Sequence, residues 1–507
     1  MKFLGKIFAI LISLLIISSF SASVFAKKQH AARSAHKHTR TKTTKMTHAR
    51  PIYGTQNLVA QINQIISSAD SNASIGIQIK SMKYGDMFYT RNEQRIFVPA
   101  SILKILTAEA ALAFLGPEYK FTTKVLTNAQ ATSNGIIDGD LYLVHSGDPS
   151  LTYYDLTDLM VVLKEQQVQT INGNIYIDNT AYDQDNLGPG WLEKDTRYCY
   201  AAPINASIIN HNCISLGITP AKTSGRTATI VESPRYFYAG IRNTVITKSA
   251  KTRSCRFSLN IMDDNSIALD GCMAAGHYSR GASVVIPNII KYNESLLTHL
   301  FKRFNIRVAG DIKPKAAPTD LFPLAIHNSK PLHILINEML KKSDNIIAGS
   351  LLKKMGELYS NQPGSWQNGG NAIKQILAQK AYVNTAQMNV IDGSGLSRDN
   401  QVTPSQMMQA LDFAFHNYST NYEFISSLPI AGVDGTLKNR LKNIAWKVRA
   451  KTGTMAGVAS LAGYVVSKDR EPIAFVIIVN GHNGNIWKYR EIEDKIVTAL
   501  ANYTRNN

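Results

Sequence analysis

Residues 74–94, SIGIQIKSMKYGDMFYTRNEQ, alternate apolar and polar side chains in two runs that meet at Tyr84-Gly85-Asp86. Alternation with period two, broken by a turn, predicts a β-hairpin. The pattern then changes. Residues 97–116, FVPASILKILTAEAALAFLG, are apolar nearly all round and stop at Gly116-Pro117, which predicts a buried helix opening near Ser101. The far end mirrors this arrangement: IAWKVRAKTGT, ASLAGYVVS and PIAFVIIVNGH are strand candidates, the last two joined by the charged turn KDRE, and a closing helix follows from about Ile486 to Tyr503. Two strands and a helix early, with three strands and a helix late, describe an α+β fold: one five-stranded antiparallel sheet built from both ends of the chain and flanked by helices.

The chain between them reads as an insertion. From 125 to 322 it is rich in short strands and turns, as in GIIDGDLYLVHSGDPSL, INGNIYIDNT and RTATIVES. It also holds a faint internal repeat, because DLTDLMVVLKEQQVQTINGNI and ESLLTHLFKRFNIRVAGDI both run from an amphipathic helix into an x-x-Gly-x-Ile strand start. Two such units can flank a nested subdomain. From about 323 to 425 helical periodicity returns. The predicted organisation is one domain from 51–124 and 323–507, interrupted by a β-rich insertion at 125–322.

The first fifty residues carry a different signal. MKFLGK is basic, an apolar stretch runs from Ile7 to Phe20, and SASVFA precedes a cleavage point after Ala26, so 1–26 reads as a secretory signal peptide. Residues 27–50 contain eight Lys or Arg, four His and no acidic residue. Such a block repels itself and predicts a disordered tether, either a solvated spacer or a contact for anionic lipid or an acidic wall polymer. Setting these eight charges and the two signal lysines aside from the formal net charge of +19 leaves +9 on the rest. No motif with interleaved aromatic residues accompanies the charge, which argues against nucleic acid as a partner.

The four cysteines, Cys199, Cys213, Cys255 and Cys272, all fall in the insertion. An exported protein meets an oxidising compartment, and four cysteines allow three pairings. Cys199 with Cys213 and Cys255 with Cys272 are expected, the second pair clamping the arms of a hairpin, CRFSLNIMDDNSIALDGC. Zinc is the alternative reading, without a C-x-x-C pair to support it. No cofactor or metal motif emerges.

Candidate chemistry lies in three short segments. Ser101 and Lys104 are three residues apart, which on a helix puts both side chains on one face. Taken alone this is an ordinary cap and a snorkelling lysine, and S-x-x-K recurs at Ser34 and Ser350. Burial changes its meaning: a desolvated lysine favours the neutral amine, and a neutral amine beside a hydroxyl is a general base beside a nucleophile. A serine at a helix N-terminus also presents its own N–H to a developing oxyanion. In the second segment, Ser343-Asp344-Asn345, Ser343 can relay a proton from Lys104 to a leaving amine, and the Asn345 amide can orient substrate and lysine. The plain reading of this segment is a helix cap. The third is Lys451-Thr452-Gly453-Thr454 on a predicted strand, where Lys451 and Thr452 can hold an anion and the Thr454 N–H can complete an oxyanion hole; the plain reading is a turn at a strand end.

Order and spacing bind these weak signals together. S-x-x-K, S-D-N and K-T-G in this sequence form a set known from class A β-lactamases and penicillin-binding proteins. With GDLYLVHSGDPSLT, YAAPINASIINHNCISL, DGSGLSRDNQVTP and LPIAGVDGTLKNRLK, the chain resembles the class C low-molecular-mass penicillin-binding proteins, the penicillin-binding protein 4 type of D-alanyl-D-alanine carboxypeptidase/endopeptidase (peptidase family S13). The resemblance spans about 55 to 500 and implies a penicillin-binding/β-lactamase-like transpeptidase domain with a long insertion. It implies acyl transfer on peptidoglycan stem peptides in the periplasm, with Ser101 as nucleophile, Lys104 as base, Ser343 as proton relay, Asn345, Lys451 and Thr452 on the substrate, and Thr454 with Ser101 in the oxyanion hole. β-Lactams are then covalent inhibitors. Asp392, Ser394 and Arg398 in DGSGLSR read as structural turn residues. Two rivals remain: a β-lactamase, which in class A needs an E-x-x-L-N glutamate not found between S-D-N and K-T-G, and a wall-binding or β-lactam-sensing protein with little turnover.

Overall fold

The computed structural model describes residues 51–130, 132–233, 240–252, 254–276, 278–482 and 485–506. The predicted signal peptide and basic stretch, 1–50, lie outside the described residues.

Both ends of the chain build one sheet. Helix α1 (Thr55–Ile66) leads into strands β1 (Ser74–Ser81) and β2 (Met87–Arg91), and the late strands are β3 (Val448–Met455), β4 (Val458–Val466) and β5 (Pro472–Asn480). The strand order is β3-β4-β5-β1-β2, with every neighbouring pair antiparallel. The central strands are apolar at successive positions because both faces are covered. In β5, Ile473, Phe475, Ile477 and Val479 enter one core, with α1 and the closing helix α6 (Ile486–Asn502). Ala474, Val476 and Ile478 enter the other, with α2 (Lys104–Leu115), α3 (Leu332–Lys342), α4 (Asn345–Ser360) and α5 (Pro404–His416). The two-residue period of the strand thus assigns each side chain to its layer.

Helix α2 lies at the centre of that helical layer and is buried from Lys104 to Leu112. Ser101 itself stands in a 3₁₀ turn, Ala100–Leu103, one turn ahead of the α-helix; Lys104 is the first α-helical residue, and no side chain caps the junction. The expected cap role for Ser101 is therefore replaced by a tighter turn that aims its side chain elsewhere.

The inserted region forms its own core and sheets. Its five-stranded sheet runs Ile312–Pro314, Ile175–Asp178, Leu141–Val144, Thr122–Thr127, Phe322–Asn328 in spatial order. The last two strands pair antiparallel and straddle positions 124 and 323, so the two ends of the segment 125–322 lie on adjacent strands. The internal repeat is visible in the register. Helices Tyr153–Glu165 and Ile289–Arg303 each lead into equivalent strands that pair in parallel, Ile171 opposite Val308 and Ile175 opposite Ile312. Between the two units lies the nested part with both disulfides, Cys199–Cys213 and Cys255–Cys272. The second joins the arms of the hairpin Phe257–Ile261/Ile267–Ala274. Among the described residues no helix is long and apolar enough to cross a membrane.

Candidate active site

The turn that carries Ser101 is fastened to the sheet before the helix begins. Asn480, at the end of β5, accepts from the Val98 N–H at 2.8 Å and donates to its carbonyl at 3.0 Å, and Ser460 on β4 donates to the Pro99 carbonyl at 2.7 Å. Ala100 is then forced into the left-handed region, φ +50°, which is strained for a residue with a Cβ. Two glycines make room. A Cβ on Gly395 would lie 1.9 Å from the Ala100 carbonyl oxygen, and one on Gly453 would lie 2.1 Å from Ser460 Oγ and 3.0 Å from the Ser101 nitrogen. The third residue of K-T-G is glycine because a strand edge and the nucleophile's backbone meet there.

Lys104 is fully buried, and its Nζ faces three oxygens: Asn345 Oδ1 at 2.6 Å, the Ser394 carbonyl at 2.6 Å and Ser101 Oγ at 3.3 Å. The first two can only accept. In the neutral amine they take its two N–H groups, leaving the lone pair for the Ser101 hydroxyl proton. Burial pushes Lys104 down to about 8, while the charges of Asp392 and Asp344 pull it back up. A base poised near neutrality follows from that balance.

Asn345 opens α4. Ser343 ends α3 in a left-handed conformation, φ +60°, and Asp344 caps α4 by accepting from the N–H groups of Ile346 and Ile347. Two helices therefore meet end to end at S-D-N, and the plain cap reading holds for Asp344 alone. Asn345 is held from both sides, because its Nδ2 donates to the Tyr200 carbonyl at 2.8 Å. Lys451, also fully buried, donates to Ser343 Oγ and to the Thr452 carbonyl, each at 2.8 Å. Burial and the nearby Lys104 charge push it well below the usual ammonium range. Ser343 Oγ, by accepting from Lys451, keeps its own proton to donate into the cleft. Thr452 Oγ1 donates to Thr436 Oγ1 at 2.8 Å, and Thr454 Oγ1 accepts from Arg490 Nη2 at 3.0 Å.

Four of the seven candidates, Ser101, Ser343, Asn345 and Thr454, line one cleft of about 370 Å³ together with Tyr200 and Arg398; Lys104 and Lys451 stand behind it in contact with Ser101 and Ser343, and Thr452 lies beside Lys451 on β3. Among the described residues no His/Cys/Asp/Glu cluster suits a metal. Residues from DGSGLSR do more than turn the chain. Asp392 is buried and accepts from the N–H groups of Ser394, Gly395 and Ser397 and from the side chains of Asn400 and Trp191. That hub delivers the Ser394 carbonyl to Lys104. The expectation that Ser394 is only a turn residue is corrected on this point. Arg398 donates to the Ala456 carbonyl at 2.9 Å and borders the cleft. Asp392 stays a structural residue, though its charge bears on Lys104.

Comparison with known proteins gives the chain its family. The model of the D-Ala-D-Ala carboxypeptidase 3 (S13) family matches residues 58–503. The chain is 30% identical to D-alanyl-D-alanine carboxypeptidase DacB of Haemophilus influenzae over 454 residues, 88% of this chain and 92% of the relative. It is 32% identical to a D-alanyl-D-alanine carboxypeptidase of an Actinomadura species over 448 residues, 84% of this chain and 81% of the relative. The crystal structure of penicillin binding protein 4 from H. influenzae superposes with a TM-score of 0.77 at 30% identity, covering 87% of this chain and 99% of that one. A second structure of that protein, complexed with a β-lactam, gives 0.71 at 29% identity over 86% and 98%. The chain belongs to the D-Ala-D-Ala carboxypeptidase 3 (S13) family and is of the penicillin-binding protein 4 type.

Proposed function

We propose that this protein is a serine-type D-alanyl-D-alanine carboxypeptidase and DD-endopeptidase of peptidoglycan, acting through an acyl-enzyme on Ser101. The observation that carries the reading is the position of Lys104 Nζ, buried between two obligate acceptors with Ser101 Oγ as its third neighbour. Lys104 takes the hydroxyl proton as Ser101 Oγ bonds to the carbonyl carbon of the penultimate D-alanine. The N–H groups of Ser101 and Thr454 receive the oxyanion. Ser343 relays the proton taken up by Lys104 to the departing amine as the C–N bond breaks, which returns Lys104 to the neutral amine. Asn345 aligns the acyl chain, and Lys451 with Thr452 holds the terminal carboxylate. Water, deprotonated by the same base, then releases the acyl group. A β-lactam follows the first half of this path.

Family membership supports the carboxypeptidase activity. Cleavage of cross-links uses the same bond type with a larger leaving group. Two disulfides suit an oxidising compartment, in keeping with export by residues 1–26 to the periplasm and with 27–50 as a basic tether toward anionic lipid or wall polymer.

The test uses wild type and Ser101→Ala with a fluorescent penicillin, a stem pentapeptide and a cross-linked muropeptide dimer. Label on wild type alone, with release of D-alanine and of monomer, is expected. Labelling that survives Ser101→Ala, or wild type releasing neither product, defeats the reading; rapid penicillin turnover makes the protein a β-lactamase instead.

A further inference from the structure

The two cations in contact with K-T-G-T and Ser343 differ in what they can offer an anion. Lys451 is fully buried, and two of its donors are committed to Ser343 and to its neighbour's carbonyl. Thr452 and Thr454 stand two residues apart on β3, so their side chains share the strand face opposite Lys451 and Gly453. A guanidinium from another element arrives on that face. Arg490, in the second turn of α6, donates from Nη2 to Thr454 Oγ1 at 3.0 Å, and its guanidinium carbon lies 4.9 Å from the centroid of the Trp487 ring. Its Nε is buried without a hydrogen-bond partner.

Among the described residues Arg490 forms no ion pair. Glu493, one turn along the helix, is held by Arg440 at 2.8 Å. Arg490 is therefore oriented by Trp487 and Thr454, and the Glu493 carboxylate that feels its charge is hydrogen-bonded to Arg440 instead. Guanidinium keeps its charge at any working pH and matches a carboxylate in two parallel hydrogen bonds. In the DD-peptidase reading, the scissile carbonyl and the terminal carboxylate belong to adjacent residues, whose Cα atoms are about 3.8 Å apart. Thr454 presents its N–H to the first of these groups, and its hydroxyl, with Arg490 on it, lies within one residue's reach.

We propose that Arg490 is a specificity-determining residue: it supplies the permanent positive charge that recognises the free carboxylate on the leaving side of the substrate, with the Thr454 hydroxyl as the shared contact. This rests on the reading of the cleft as a DD-peptidase site.

Benzylpenicillin carries a carboxylate in the corresponding position, and its methyl ester does not. Rates of Ser101 acylation by each, followed by intact mass, are compared for wild type, Arg490→Gln and Arg490→Lys. The preference for acid over ester falls about tenfold in Arg490→Gln, the worth of one charge-assisted contact, and by less in Arg490→Lys. A residue that only props Thr454 slows acid and ester alike, so a ratio within twofold of wild type in Arg490→Gln overturns the proposal. If Arg490→Gln fails to melt cooperatively, Arg490→Met, which keeps an apolar stem and removes the charge, decides by the same ratio. Wild type labelled by neither compound defeats the peptidase reading itself, a result distinct from an unchanged ratio.

Discussion

The pH dependence of Ser101 acylation follows from the contacts of Lys104. Burial pushes this lysine from its ordinary 10.5 down to about 8. With a midpoint there, about one molecule in ten holds the free amine at pH 7 and about one in a hundred at pH 6. The second-order rate of labelling by a fluorescent penicillin, measured by stopped reaction and gel fluorescence, should therefore rise close to tenfold per unit from pH 6 to pH 7 and level off above 8. Lys104→Arg keeps the charge and cannot shed its proton in this range, so it should label at least about a thousandfold more slowly. Asp344→Asn retains an oxygen able to cap α4 and removes one of the two charges that raise Lys104, so its midpoint should move to lower pH. The same shift touches stability. Folding holds Lys104 below its unfolded value, which costs about 3 kcal/mol below pH 8, and the cost fades as pH rises toward 10.5. A flat profile between pH 6 and 8, an Asp344→Asn midpoint moved upward, or Lys104→Arg labelling within tenfold of wild type refutes the assignment of Lys104 as the base.

Other expectations test the supports of the cleft. Gly395→Ala places a Cβ against the Ala100 carbonyl at a residue with φ +83°; it should lower stability by about 2 kcal/mol or more and slow labelling over tenfold, measured by urea unfolding and penicillin acylation. Replacing Cys199 and Cys213 together by Ser loosens the turn whose Tyr200 carbonyl holds Asn345, and labelling should fall about threefold to tenfold, while the same change at Cys255 and Cys272 moves it less than twofold. Glu109 is buried in α2 with no hydrogen-bond partner for either carboxylate oxygen, and burial pushes it up to about 8. Its folded form stays protonated while the unfolded chain ionises near 4.5, so stability falls as pH rises from 4.5 to 8. Glu109→Gln should remove that decline, with the gain over wild type growing to a few kcal/mol by pH 8 and read as the difference in urea midpoints.

Much of this architecture could be read from side-chain pattern because the groups concerned are side chains with a period. The alternation in PIAFVIIV assigns the two faces of β5, and the all-round apolar character of 97–116 places a lysine where it must lose water. The trio gains its meaning from order and from family resemblance, since each segment alone is commonplace. What stayed hidden is of another kind. The Ser394 and Tyr200 carbonyls, which complete the surroundings of Lys104 and Asn345, are backbone groups that every residue possesses, and only the folded path of the chain selects them. The 3₁₀ turn at Ser101 depends on Asn480 and Ser460, far away in sequence. Arg490 sits among the charges of a helix whose polar face reads as ordinary solvent exposure. Asp392 did carry a signal, an aspartate ahead of closely spaced Gly and Ser residues, but a hub of donated hydrogen bonds looks in sequence like any turn.

The antiparallel pairing of Thr122–Thr127 with Phe322–Asn328 has a consequence for how such a protein can change. Because the two ends of the insertion lie side by side, the intervening length is decoupled from the distance between Ser101 and Ser343, and residues can be added or removed there without stretching the cleft. Several threads prevent the insertion from being a free passenger: the disulfide-pinned turn at Cys199 reaches back through Tyr200 to Asn345, Trp191 donates to Asp392, and Asp183 pairs with Lys353. Descendants of this architecture can therefore remodel the outer sheets as long as those return contacts are rebuilt, and a chain trimmed to the sheet and its helices would lose the braces on its asparagine and on the Asp392 hub.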